Sequence, residues 1–305
     1  MTATVSGTGA RGRRNTVPGG AGVRMALPAC IGLVVFLIGP MLVSMLLSTT
    51  NWAIGLSPEF VGLSNYRRLF GEDPLFWKSL GVTAYYTLLV VPLTLAVAFM
   101  IAVMLNQKVR GLAAFRTVYY LPTLVPMVAS AILWNWMFNP EFGLFNEFLR
   151  AMGMTTSKWT MDEATVIPSL ALMGVWSFGN VMVIFLAGLQ GVPVHLYEAI
   201  AIDGGGAWQK FWNITVPMMS PIIFFNLVTG LVAAIQSFHQ AYLMTGGGPN
   251  DGSSFIVYYL YKTAFTKGEM GYASALAWIV FLICAVATLA MFRWAKQWVH
   301  YAMEH

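Results

Sequence analysis

Six apolar runs constrain this chain more than anything else in it. They fall at about residues 27–48, 81–105, 117–138, 167–189, 217–244 and 270–292, and each reaches the roughly 20 residues a helix needs to cross a bilayer. The 17 basic and 12 acidic residues all lie outside these runs. A charge at the centre of a membrane helix costs on the order of 2.5–3.5 kcal/mol, so that exclusion is what six lipid-inserted helices require. Only 10% of the chain is charged, against about a quarter in a soluble domain. The predicted fold class is an all-α membrane protein with six transmembrane helices.

Orientation follows from the basic residues. Arg11, Arg13, Arg14, Arg24, Lys108, Arg110, Arg116, Lys210, Arg293 and Lys296 fall on one side, against Glu198, Asp203 and Glu304. The other side carries seven basic and nine acidic residues. The positive-inside rule therefore predicts that both termini and the segment 193–217 are cytoplasmic. Topology accounts for the net charge of +5, which needs no nucleic-acid partner. The stretch 1–25 is basic and rich in Gly and Thr, and is expected to be a disordered tail. The first run exceeds a signal-peptide core and lacks a small-x-small exit, so it reads as a retained span. Cys30 and Cys284 both sit inside predicted spans, which leaves neither a disulfide frame nor a thiolate metal site.

The outer loop from Phe60 to Leu80 has balanced charge, and its aromatics, Phe60, Tyr66, Phe70, Phe76 and Trp77, predict a short interfacial helix. Pro122 and Pro126 predict a kink in the third span. Trp134 and Trp136 read as an aromatic belt or as the mouth of a path. In the fourth span Met173, Trp176, Ser177 and Asn180 share one helical face. In the fifth, Gly230, Ala234 and Ser237 form a stripe, with Gln236, His239 and Gln240 close behind. Singly these residues read as helix packing, and together as a cavity. The glycine-rich turn Thr245–Ser254 is not followed by Lys-Ser or Lys-Thr at the spacing of a nucleotide cradle, and neither is Gly204.

The segment Pro193–Pro217 is the main polar interruption. Pro193 suits the first position of a helix, and Leu196, Ala199 and Ile200 fall on one side of it. Asp203 and Gly204–Gly206 end that helix, because glycine accepts positive φ and Asp bonds nearby amides. Trp208, Phe211, Trp212 and Thr215 then recur at helical spacing. The predicted motif is helix, glycine bend, helix.

Catalytic constellations are absent from the sequence, and the four histidines are scattered. No carboxylate lies within a span, which disfavours a self-powered proton symporter. Sodium coupling through backbone carbonyls stays open.

Glu198-Ala199-Ile200, Asp203-Gly204, Ile214 and Pro217 resemble the EAA motif of membrane subunits of binding-protein-dependent ABC importers. The segments FVGLSNYRRL, LPTLVP, FLAGLQGVP and TGGGP resemble the carbohydrate branch, in particular the first permease of the maltose and glycerol-phosphate type. The likeness spans about residues 25–300. It implies the type I importer permease fold, with a transmembrane domain over 26–300, a coupling loop at 193–217 and a short cytoplasmic tail at 301–305. It further implies that Glu198, Ala199, Ile200, Asp203 and Gly204 dock on an ATPase, with Glu198 facing a basic residue, Ala199 allowing close packing and Gly204 making the bend. The chain departs from the motif at Ile200, usually a small residue, and at Gly205, usually alanine. Counting from the motif places Met173, Trp176, Ser177, Asn180, Gly230, Ala234, Ser237 and His239 along the substrate path.

The expected function is a non-catalytic permease subunit of an ATP-driven carbohydrate importer in the bacterial inner membrane. Its implied partners are a second permease, two ATPase subunits and an extracytoplasmic sugar-binding protein. No cofactor is expected in this chain, MgATP belonging to the partner ATPase. The alternative is an autonomous secondary carrier or channel.

Overall fold

The computed structural model describes residues 19–107 and 111–299, with side chains from Arg24 onward. Helices dominate, and among the described residues the sole strand-like feature is a bridge between Thr50 and Phe60. The first span is α1 (Gly19–Leu33), a π-helical turn (Val34–Ile38) and α2 (Gly39–Leu47). The short α3 (Ser64–Gly71) then leads into the second span, α4 (Pro74–Leu105). The third span is a bent pair, α5 (Leu112–Leu124) and α6 (Met127–Met137). After α7 (Leu144–Ala151) and a 3₁₀ turn (Trp159–Met161), the fourth is another bent pair, α8 (Glu163–Trp176) and α9 (Gly179–Gln190). The loop helices α10 (Val194–Ile202) and α11 (Ala207–Lys210) precede a π-helical turn (Phe211–Thr215) that runs into α12 (Val216–Ile235). A π-helical turn (Ala241–Thr245), α13 (Ile256–Tyr261) and a second such turn (Lys262–Thr266) lead to the last span, α14 (Met270–Ala295). Four continuous helices are long and apolar enough to cross a membrane, and the two bent pairs bring the number to six.

Several span boundaries differ from expectation. Helix α1 starts at Gly19, inside the stretch read as a disordered tail; the rest of that tail, residues 301–305, Lys108 and Arg110 lie outside the described residues. Helix α4 starts at Pro74 instead of residue 81, because Asp73 caps it: Oδ1 accepts from the amides of Leu75 and Phe76 at 3.0 and 3.1 Å, and Pro occupies the first helical turn without losing a bond. The fifth span ends at Ile235, well before residue 244.

The proline kink in the third span is a 95° break. Val125 precedes Pro126 and is extended, with ψ 124°, as the clash with the proline ring demands. The fourth span bends by 49° at Ser177-Phe178. There a Cβ on Gly179 would meet Thr123 Oγ1 at 2.4 Å and the Tyr119 carbonyl at 3.1 Å, so the glycine lets α5 cross directly against α9.

Helix α4 is the hub, packed along α8, α9 and α12. Ala98, Ala102 and Leu105 of α4 join Phe185, Leu189, Ile214 and Met219 in a core at the end that carries the 193–217 loop. The opposite end is held by polar groups. Asp73 Oδ2 accepts from the hydroxyls of Tyr259 and Tyr272, both at 2.5 Å. Arg68 bonds Glu269 at 2.9 Å and lies over the Tyr272 ring, while Lys78 bonds Glu163 at 2.9 Å. Burial alone would raise the Asp73 carboxyl, but the two phenols and two amides hold it below its usual value. The first span packs against α14 through α2, yet no residue between Arg24 and Leu47 is buried.

Candidate functional site

Two spans are broken, and α12 ends, around a cavity of about 460 Å³. Met127 opens α6 beside the first break, Gly174 and Val181 flank the second, and Gln236–Gln240 follow the end of α12. Tyr86, Val90, Val91, Thr94 and Leu95 of α4 supply the continuous wall. Tyr86 lies about 18 Å along α4 from Pro74, and Leu95 about 15 Å from Leu105, at 1.5 Å per residue. The cavity is therefore near mid-membrane. Interrupted helices at that depth leave backbone groups without helical partners, which is tolerable only where protein or water meets them.

Apolar walls carry a few polar groups, and no charged residue lines the cavity. Gln240 Nε2 donates to Tyr86 Oη at 3.2 Å. Asn226 Nδ2 donates to the Ile222 carbonyl at 2.9 Å, leaving its carbonyl oxygen as an acceptor. His239 is exposed, edge-on to Phe238. Amides, hydroxyls and an imidazole over aliphatic surface suit a polyhydroxylated ligand.

The structure separates the residues expected on the path. Gly230, Ala234, Ser237 and His239 line the cavity together. Met173 and Trp176 instead belong to an aromatic cluster with Trp134 and Phe138, the Trp134 and Trp176 rings meeting edge to face at 5.9 Å. Ser177 is exposed at the bend, and Asn180 lines a different groove with Arg116 and Tyr120. The 49° bend is the reason, since it turns the residues on its two sides in different directions. Sequence reasoning missed Tyr86, Thr94 and Asn226. Their signal was available as polar side chains inside the second and fifth apolar runs.

The 193–217 loop projects from the other core. Pro193 is the residue before α10, extended at ψ 128°, instead of its first helical residue. Leu196, Tyr197 and Ile200 pack against the bundle, whereas Ala199 is exposed, away from the side it was expected to share with Leu196 and Ile200. Trp208 and Trp212 are likewise exposed, while Thr215 is buried. The helix ends in a Schellman turn. The Gly205 amide bonds the Ile200 carbonyl at 2.8 Å and the Gly204 amide bonds the Ala201 carbonyl at 3.2 Å. Gly204 has φ +77°, which glycine adopts without strain. Gln209 Oε1 then caps α11 by accepting from the Gly206 amide at 2.9 Å, and the Tyr197 hydroxyl lies 3.1 Å from Thr215 Oγ1. Glu198, Ala199, Ile202 and Asp203 form an exposed, mixed acidic and apolar face.

No group of three or more metal-binding side chains occurs among the described residues. Residues 94–299 match the family described as binding-protein-dependent transport system inner membrane component. The chain is 40% identical over 285 residues to the probable ABC transporter permease protein YesP of Bacillus subtilis, covering 92% of both chains. It is 32% identical to the sn-glycerol-3-phosphate transport system permease protein UgpA of Pectobacterium atrosepticum, over 91% of this chain and 94% of that one. Its fold is similar to a chain in the crystal structure of a bacterial alginate ABC transporter in complex with an alginate pentasaccharide-bound periplasmic protein. The TM-score there is 0.79 at 21% identity, over 91% of this chain and 94% of that one.

Proposed function

This chain belongs to the family of inner-membrane components of binding-protein-dependent transport systems, and from that premise we propose that it forms half of the path of an ATP-driven carbohydrate importer. It is a multi-pass permease subunit, neither an enzyme nor an autonomous carrier. The observation that carries the proposal is the projecting helix, Schellman turn and helix, whose exposed face has no partner among the described residues while its inner face packs on the bundle. The cavity has no carboxylate, the group that proton-coupled carriers commonly use. The driving force then comes from outside the membrane, through that loop.

Under this reading the loop end and both termini are cytoplasmic, as the positive-inside rule predicts. Glu198 meets a basic residue of an ATPase that holds MgATP, Ala199 permits close approach, and Asp203 and Gly204 make the bend. Ile200 sets the angle of α10 from its inner side instead of facing the partner. A second permease completes the path, and an extracytoplasmic sugar-binding protein delivers the ligand. Gly230, Ala234, Ser237 and His239 receive it with Tyr86 and Asn226, and Met173 and Trp176 brace the wall from behind. Carbohydrate fits the amide and hydroxyl lining.

The test is coupling. Glu198→Arg reverses the charge of the face, and Gly204→Pro forbids positive φ. Both variants are expected to insert normally and to hydrolyse ATP in the assembled transporter without sugar uptake. Normal uptake by both would overturn the assignment of the loop.

A further inference from the structure

A second groove, of about 610 Å³, runs between α5 and α9 on the outside of the bundle, lined by Arg116, Thr117, Tyr120, Asn180, Val183 and Ile184. Arg116 is its one charged residue. The guanidinium makes no hydrogen bond or ion pair among the described residues, and its Nε is buried without a partner. A guanidinium carries five N–H donors, and leaving them unmet out of water is costly. The Tyr120 hydroxyl and the Asn180 carboxamide likewise have no side-chain hydrogen bond among the described residues.

The order of these groups along the membrane normal identifies the occupant. Arg116 lies about 6 Å along α5 from its start at the loop end, and Tyr120 about 12 Å, at 1.5 Å per residue. Val183 and Ile184 offer an exposed aliphatic strip on α9. A cation at the level of the headgroups, a phenol about one turn deeper and an aliphatic strip beside it match a phospholipid. Its phosphate meets Arg116, an ester carbonyl meets Tyr120, and its acyl chain follows Ile184 and Val183 inward toward Asn180 at the bend. A protein carboxylate would satisfy the arginine but would give the deeper phenol nothing to bind.

We propose that this groove binds the phosphate of an anionic phospholipid in the leaflet on the loop side. The inference rests on the membrane orientation proposed above, but not on the cargo or on coupling, and lipid retention is read without any uptake assay.

The full chain, purified with its partner subunits, is reconstituted in phosphatidylcholine nanodiscs with and without phosphatidylglycerol, and retained lipid is read by native mass spectrometry. Wild type and Arg116→Lys are expected to retain phosphatidylglycerol. Arg116→Gln should lose about tenfold in occupancy, equivalent to about 1.4 kcal/mol. Tyr120→Phe, which keeps the ring, should weaken retention less and covers the case in which Arg116→Gln does not fold. Equal retention by wild type and both neutral variants would overturn the site. Displacement by excess inorganic phosphate would overturn the lipid as its source. Loss of a partner subunit from Arg116→Gln, with no lipid held by wild type, would assign the groove to a protein carboxylate and overturn the proposal.

Discussion

A Cβ placed on Gly205 would stand 2.3 Å from Ile200 Cγ2 and 2.9 Å from the Ile200 carbonyl. Two departures from the family's motif, a large residue at 200 and a small one at 205, thus occupy one space. Read in the sequence they are five positions apart and unrelated. The Schellman turn folds them together, because it brings the Gly205 amide back to the Ile200 carbonyl. Gly205→Ala is therefore expected to destabilise the loop by about 1–3 kcal/mol, the usual cost of overpacking. Ile200→Ala removes the nearer obstacle, so the second substitution should cost at least about 1 kcal/mol less in that background. Thermal unfolding of the four proteins in the double-mutant cycle reads this coupling, and additive effects would separate the two residues again. The same scale explains what the candidate site kept from view. Gly230 and Ala234 share one stripe of α12 and were legible with Ser237 just beyond its end; Asn226, one turn before Gly230, lies on the same stripe, whereas Tyr86 reaches the cavity from α4, whose facing is set by packing.

At the scale of elements, six spans were legible because exclusion of charge leaves little else for apolar runs of this length. The break in the third was legible too, since Pro126 constrains Val125 whatever surrounds it. The bend at Ser177-Phe178 carries no proline, and the end of α12 at Ile235 precedes more apolar residues. Those breaks depend on tertiary contacts, such as Thr123 against Gly179, that one run of sequence does not encode. Between elements, the strongest tie at the end opposite the loop is Asp73, which caps α4 while accepting from Tyr259 and Tyr272. Asp73→Ala removes a cap worth about 0.5–2 kcal/mol and leaves two phenols short of an acceptor, so the melting temperature should fall by several degrees. The pH dependence has a definite sign. The carboxyl is held below its usual value in the folded chain, so its contribution is present above the unfolded value of about 3.9 and is lost as pH falls through the lower folded one. The gap between wild type and Asp73→Ala should hold steady from about pH 7.5 to 5 and narrow only below about pH 4. A gap that closes already near pH 6 would mean that another group governs the junction.

At the scale of the molecule, the cavity is a wall without its other half. Met127, Ala233 and His239 line it and are exposed, and the first span has no buried residue of its own. A chain that placed its ligand contacts on an open flank would bind poorly alone, which agrees with the proposed assembly with a second permease. Gly230 allows the path to be tested without disturbing the fold. A Cβ there would meet Val91 Cγ1 at 3.5 Å, an ordinary contact, so Gly230→Ala should be tolerated with little loss. Gly230→Leu adds a branched end with nowhere to go but the cavity. That variant should assemble with its partners as wild type does, yet take up sugar at least about tenfold more slowly, the effect of roughly 1.4 kcal/mol. Affinity of the isolated sugar-binding protein should not change, since delivery precedes the cavity. Uptake by Gly230→Leu at the wild-type rate, in a properly assembled transporter, would place the path elsewhere, and the aromatic cluster around Trp134 and Trp176 would become the next surface to probe.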